Sequence, residues 1–330
     1  MQPGAGVSFS SMDEFTLIER LIAPVAGSRA DVCLGIGDDG AVVRPPPGEA
    51  LVLVLDTLVE AVHFPRGFPP GDIGYRSAAT NLSDLAAMGA TPLWATLGLT
   101  LPQPDVEWVR AFMAGLQAAL APHEVQLVGG DTTRGPLCLS LQLTGSVPES
   151  LALRRNGARP GDRLFVSGFL GDAAAGLASL SMPEPMPPGA HYLRERFARP
   201  TARVGLGQAL RGLATSCIDI SDGLLGDIGH LLAYSACGAD LRVDHLPLSP
   251  ALVELLDADT ALAHALSGGD DYELCFTLPP ATPPAVVGAL RQHCAVTEIG
   301  LITTERGQLQ LRDANGPVTP PGPTGYRHFP

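Results

Sequence analysis

The chain has 330 residues with 34 acidic and 21 basic side chains, a net charge of -13 that argues against nucleic acid and anionic membrane as partners. A composition 45% hydrophobic and only 17% charged describes a folded protein long enough for two cores. No lysine occurs, so every basic residue is arginine. A P-loop and a protein-kinase site both place a lysine on phosphate, and both are therefore excluded.

In chain order, residues 1–11 read as a flexible tail with no leader pattern. Over residues 12–25 the apolar positions Phe15, Ile18, Leu21, Ile22 and Val25 share one helical face. A loop at Asp38-Asp39 leads into Ala41-Val42-Val43, and 45–48 is a turn. Residues 51–55 form a short, bounded aliphatic run that predicts a buried strand delivering Asp56 at its end. Asp72 is placed to cap a helix running to about Met88 and stopped by Gly89, with Asn81 and Asp84 in its last turns.

Residues 93–101 predict a strand, 105–120 an amphipathic helix, 125–128 a strand ending at Gly129-Gly130-Asp131, and 137–147 a further strand. A domain boundary falls near 148–152. Beyond it come a strand at 163–167, a helix at 170–180 and a proline-rich linker at 183–188. A helix at 201–213, a strand at 217–220 and a helix from Asp222 to about Ala236 follow. Strands near 240–243, 272–278 and 296–302 then alternate with helical stretches at 250–257 and 284–292. Alternating strands and helices in both halves give an α/β (α+β) fold class. The six cysteines are widely spaced without a CxxC pair, as expected of buried reduced thiols. No apolar run is long enough to span a membrane, and the expected compartment is the cytoplasm.

The chemistry lies in aspartates set among glycines or hydroxyls: Gly37-Asp38-Asp39-Gly40, Leu55-Asp56-Thr57, Ser83-Asp84, Gly129-Gly130-Asp131-Thr132, Asp219-Ile220-Ser221-Asp222-Gly223 and Gly268-Gly269-Asp270-Asp271. Glycine lets the backbone approach a ligand, and aspartate is a short, hard oxygen donor suited to magnesium and, through it, polyphosphate. Each motif alone is also compatible with a turn or a helix cap. Asp84 is the exception, because a carboxylate in a weakly polar helix is costly to bury unpaired. Residues 219–223 have the geometry of a strand end turning into a helix, whose N-terminus offers unpaired N–H groups to an anion, with Ser221 and Asp222 able to reach a phosphate or its metal. Arg155 is a candidate phosphate clamp; a lone histidine such as His63 is more often structural, and Tyr326 reads equally as a terminal anchor or a stacking contact for an aromatic substrate.

The segments GIGDDGAVV (35–43), DTLVEAVHF (56–64), NLSDLAAMGATP (81–92), GGDTTRGP (129–136), RPGD (159–162), IDISDGL (218–224), SGGDDYELCF (267–276) and GYRHF (325–329) together resemble the thiamine-monophosphate kinase family, within the aminoimidazole ribonucleotide synthetase superfamily. The resemblance runs from about residue 12 to the end. It implies a two-domain architecture, each domain a mixed sheet packed with helices. Residues 12–148 would form a metal-binding, nucleotide-binding and dimerisation domain, and 149–330 a domain completing the ATP and substrate cleft.

The implied reaction is ATP-dependent phosphorylation of thiamine monophosphate to thiamine diphosphate by a homodimer, with several Mg2+ ions and with K+ left open. By motif position Asp39, Asp56, Asp84, Asp131, Asp219 and Asp222 resemble the metal ligands. Gly130, Asp131, Arg155 and Ser221 resemble the ATP contacts, and His63, Asp270 and Tyr326 the substrate contacts.

The chain departs from the family pattern at Val54 and Leu55, where hydroxyl residues are usual, and at Asp270, where glutamate is usual. Alternatives that stay open at this stage are a purine cyclo-ligase or selenophosphate synthetase-like activity, and a non-catalytic thiamine phosphate binder. Because a phosphate oxygen is already an ionised nucleophile, direct in-line transfer needs charge neutralisation and no general base.

Overall fold

The computed structural model describes residues 14–183, 185–319 and 325–326; the expected tail, residues 1–11, lies outside them. The chain forms two compact units that alternate along the sequence. One takes the described residues up to Pro45 with Leu55–Ala78 and Leu93–Thr144; the other takes Pro46–Val54, Ala79–Pro92 and everything described from Gly145 onward. Among the described residues no helix is long and apolar enough to cross a membrane.

In the first unit, helix α1 (Glu14–Leu17) continues as a π turn over Ile18–Ile22 and a 3-10 turn over Ala23–Val25, which Pro24 opens. Strands β1 (Val32–Leu34) and β2 (Val42–Val43) pair antiparallel around the Asp38-Asp39 loop. A four-stranded sheet has the order β3-β6-β4-β5, from β3 (Glu49–Val59), β4 (Thr91–Leu101), β5 (Gln126–Arg134) and β6 (Cys138–Pro148).

Helix α2 (Pro70–Ala87) starts at a proline, which fixes φ for the first turn and has no N–H to leave unsatisfied. Asp72 therefore sits within its first turn. Asp105 caps α3 (Val106–Leu120), its carboxylate accepting from the N–H groups of Glu107 and Trp108 at 3.0 Å each. The apolar stripe Val109, Phe112, Met113, Leu116 and Leu120 is fully buried, as the helical period requires.

The second unit is built on a seven-stranded mixed sheet of order β13-β12-β9-β11-β7-β10-β8. Its strands are β7 (Arg163–Ser167), β8 (Ser216–Ile220), β9 (Gly238–Arg242), β10 (Glu273–Leu278), β11 (Val296–Thr303), β12 (Leu309–Asp313) and β13 (Gly316–Pro317). Its helices are α4 (Asp172–Ser179), α5 (Pro188–Ala198), α6 (Val204–Ala209), α7 (Leu224–Ser235), α8 (Pro250–Leu255), α9 (Ala258–Ser267) and α10 (Pro284–Leu290). Strands β8 and β10 are buried at every position, and a core including Leu164, Val166, Ile218, Ile220, Leu224, Ile228 and Cys275 lies around them.

Several expectations change. Residues 51–55 are not a buried run: β3 is longer and is an edge strand, with Val52 buried but Leu51, Leu53 and Leu55 exposed at 43%, 68% and 62%. Asp56 accordingly sits inside β3, three residues before its end. The strand expected to stop at Gly129 continues to Arg134, carrying Gly130 and Asp131 within it. Helices α5 and α9 and strands β12 and β13 had no counterpart among the expected elements. All six cysteines are free, but only Cys217, Cys237 and Cys275 are buried, and Cys33 is exposed.

Candidate functional site

In the second unit the motif residues of four segments meet through direct contacts. Strand β8 ends at Asp219 and Ile220, and Asp219 is only 4% exposed. Its Oδ2 accepts a 2.8 Å hydrogen bond from Ser83 Oγ, from the last turns of α2. The adjacent Asp84 is half-buried on the same helix.

Beyond β8 the chain runs alongside the Gly268–Tyr272 segment. Asp270 N–H donates to the Ser221 carbonyl and Tyr272 N–H to the Ile220 carbonyl, each at 2.9 Å. The Tyr326 N–H donates to the Asp222 carbonyl at 3.0 Å, while its side chain is half-exposed. The fold thus gathers Asp219, Ser221, Asp222, Asp270 and Tyr326, with Ser83 beside them.

The turn into α7 has an acceptor of its own. The N–H groups of Ser221 and Asp222 are not turned toward a ligand; both donate to Oδ2 of Asp227, at 3.0 and 3.1 Å. An internal carboxylate holds the turn. Asp227 was missed from the sequence. The available signal was its place on the apolar stripe of α7, between Leu224 and Leu231, where a buried carboxylate must find donors. Burial, and then the carboxylates of Asp219 and Asp222, push Asp227 up to about 7.

Arg155 lies in the loop after Leu153; its side chain is exposed and its carbonyl accepts from Ser235 Oγ at 3.2 Å. The preceding residue Arg154 accepts from Cys217 N–H, at the end of β8 opposite Asp219.

In the first unit the candidates lie on separate elements. Asp39 is exposed in the loop between β1 and β2, and its N–H donates to the Asp38 side chain at 2.8 Å. Asp56 is half-buried on β3, whereas Asp131 is exposed on β5, the opposite edge of the sheet. Gly130 has φ of 151°, and an added Cβ would overlap the backbone of Leu97 on β4, so no side chain fits there. His63 stands in the turn after β3, where its Nδ1 accepts the Val59 N–H at 3.0 Å. With Nδ1 accepting, a neutral ring carries its proton on Nε2.

Among the described residues no three His, Cys, Asp or Glu side chains form a ready metal cage. Magnesium does not require one. It binds through one or two carboxylates plus waters and substrate phosphates, and the carboxylates at Asp219 and Asp222 suit that hard cation.

Two family models match the chain: AIR synthase related protein, N-terminal domain, over residues 37–147, and its C-terminal domain over residues 159–312. The chain is an AIR synthase related protein. It is 47% identical over 319 residues to the thiamine-monophosphate kinase of Salmonella typhimurium, spanning 96% of this chain and 98% of that relative. The crystal structure of thiamine-monophosphate kinase from Stenotrophomonas maltophilia matches at TM-score 0.84 and 44% identity, over 92% of this chain and 98% of that one. The structure of AaThiL complexed with AMPPCP and TMP matches at TM-score 0.75 and 32% identity, over 98% of this chain and all of that one. The chain belongs to the thiamine-monophosphate kinase family, and is a kinase.

Proposed function

We propose that this protein transfers the terminal phosphoryl group of ATP directly to thiamine monophosphate, giving thiamine diphosphate and ADP. The reading is carried by the site built from Asp219, Ser221, Asp222, Asp270 and Tyr326 in a chain that spans nearly all of its kinase relatives. In-line attack by a phosphate oxygen needs no general base, and no Ser/His or Cys/His pair is assigned such a role.

Asp39, Asp56 and Asp131 in the first unit, and Asp84, Asp219 and Asp222 in the second, are the proposed magnesium ligands. When bound, the ions would neutralise the two anions and orient their phosphates. Gly130, Asp131, Arg155 and Ser221 are assigned to ATP: the glycine admits close backbone approach, the arginine meets phosphate charge, and the Ser221 hydroxyl donates. His63 offers Nε2–H to the substrate phosphate, and Asp270 and Tyr326 hold the rest of the substrate. Because its backbone N–H groups are spent on Asp227, the 221–222 turn contributes through side chains only.

The exposed leucines of β3 are assigned to a homodimer contact. Free thiols and the absence of a membrane-spanning helix among the described residues fit a cytoplasmic enzyme. An assay of ADP release decides the activity. Release should require both thiamine monophosphate and Mg2+ and should yield thiamine diphosphate without a trapped phospho-protein. Release that is independent of thiamine monophosphate would refute the proposal.

A further inference from the structure

The Gly268–Glu273 stretch alternates two kinds of residue. Asp270 and Tyr272 lie on the site side, and both occupy the left-handed region, at φ of 72° and 51°. For non-glycine residues such backbone is strained and persists only where the surroundings impose it. Between and after them, Asp271 and Glu273 are completely buried.

The Asp271 carboxylate accepts the N–H of Gly171 at 2.7 Å and of Ala173 at 3.3 Å, so it is fixed to the start of α4. Glu273 is gripped by Arg203 through a two-pronged contact, Nε to Oε2 at 2.6 Å and Nη2 to Oε1 at 2.5 Å. It also accepts from Arg196 Nη2 at 3.1 Å and from Ser167 Oγ at 2.6 Å. Arg196 reaches the Asp271 carbonyl as well, at 3.3 Å, and so ties both anchors to α5. One turn earlier on α5, Tyr192 OH donates to Asp172 at 3.0 Å, bracing the same helix against α4. Gly168 makes room for the cluster, since a Cβ there would overlap the Glu273 carboxylate.

A planar guanidinium that is always charged makes the grip rigid in a way a flexible amine would not. The Asp270 carboxylate itself is steadied by Tyr272 OH, 3.1 Å from Oδ1.

We propose that Glu273, with Arg203 and Arg196, is a positioning clamp: it holds Asp271 and Glu273 inward so that the strained backbone between them presents Asp270 to the thiamine substrate. The clamp acts through Asp270. It rests on the reading of Asp270 as a substrate contact.

The test uses the full-length enzyme and the variants Asp270→Ala, Glu273→Gln, Arg196→Gln and Arg196→Lys, with KM measured for each substrate and folding checked by circular dichroism. Glu273→Gln keeps one acceptor oxygen in the cluster, and because Arg203 still neutralises Glu273 when Arg196 is replaced, the Arg196 variants should fold if Glu273→Gln does not. The clamp predicts that KM for thiamine monophosphate rises roughly tenfold while KM for ATP stays within about twofold. Arg196→Lys should recover part of what Arg196→Gln loses. If Asp270→Ala raises KM for thiamine monophosphate but the folded clamp variants do not, the clamp is wrong and the substrate reading stands. Equal movement of both KM values in those variants also overturns the clamp. If Asp270→Ala leaves KM unchanged, the substrate reading falls, and the clamp with it.

Discussion

Ser83 Oγ donates to Asp219 Oδ2 at 2.8 Å, joining two motifs 136 residues apart in the chain. Ser83 is fully buried and Asp219 nearly so, so the contact helps to fix the rotamer of a buried carboxylate. Losing one partner of a buried, charge-assisted hydrogen bond costs about 1–3 kcal/mol. Ser83→Ala should therefore lower both stability in chemical denaturation and kcat, whereas Ser83→Thr, which retains a hydroxyl, should recover part of each.

Asp84, one residue on, is predicted to be indispensable. Asp84→Asn keeps the shape but removes the charge, and turnover measured by ADP release should fall to below about a tenth of wild type, a loss of more than about 1.4 kcal/mol in transition-state stabilisation. Retention of more than that would remove Asp84 from the site.

Asp227 is predicted to matter as an acceptor of backbone N–H groups. Asp227→Asn preserves an oxygen for the Ser221 and Asp222 amides and should retain most activity, while Asp227→Leu should unhinge the turn and lower kcat at least tenfold, about 1.4 kcal/mol. Were Asp227 a metal ligand instead, the asparagine variant would show a raised Mg2+ requirement in a metal titration.

Burial raises the Asp172 carboxyl above its usual 3.8, against the opposing hydrogen bonds from Ser249 and Tyr192. The folded state then binds its proton more tightly than the unfolded chain, so this contribution is full below pH about 4 and is lost as pH rises through the elevated folded value. Between those limits the stability difference between wild type and Asp172→Asn should shift against wild type as pH climbs. Paired melting curves across the acid range test this, and a constant difference would contradict it.

The exposed leucines of β3 make the quaternary prediction. Placing a charge in an apolar contact between copies leaves it desolvated and unpaired. Leu53→Glu should thus convert a dimer to a monomer by light scattering, with little change in the melting of the isolated subunit because Leu53 is already 68% exposed.

Legibility in the sequence followed the locality of each signal. Helix α3 could be read because its cap, stripe and end lie within sixteen residues, and β7, β8, β10 and β11 because short aliphatic runs bounded by turns have few other fates. By contrast, β3 looked buried because an unbroken aliphatic run reads the same whether a neighbour covers one face or both. Strand β5 passed through two glycines that suggested a turn, since Gly130 there answers to the Leu97 backbone, a partner invisible along the chain. In the site, Asp219, Ser221, Asp222 and Asp270 stood out through their glycine and hydroxyl neighbours. Asp227 did not, because its donors are main-chain N–H groups that only the turn brings to it, and the Glu273 cluster did not, as its donors lie up to 106 residues away.

The backbone at Asp270 also gives a reason for the side chain found there. Aspartate tolerates left-handed φ angles better than longer side chains do, because its short carboxylate can bond locally. Where the family pattern that the sequence resembles would have glutamate, an aspartate exchanges reach for conformational ease. Restoring the longer acid should extend contact with the ligand while making the loop harder to hold, a compromise open to directed evolution from either end.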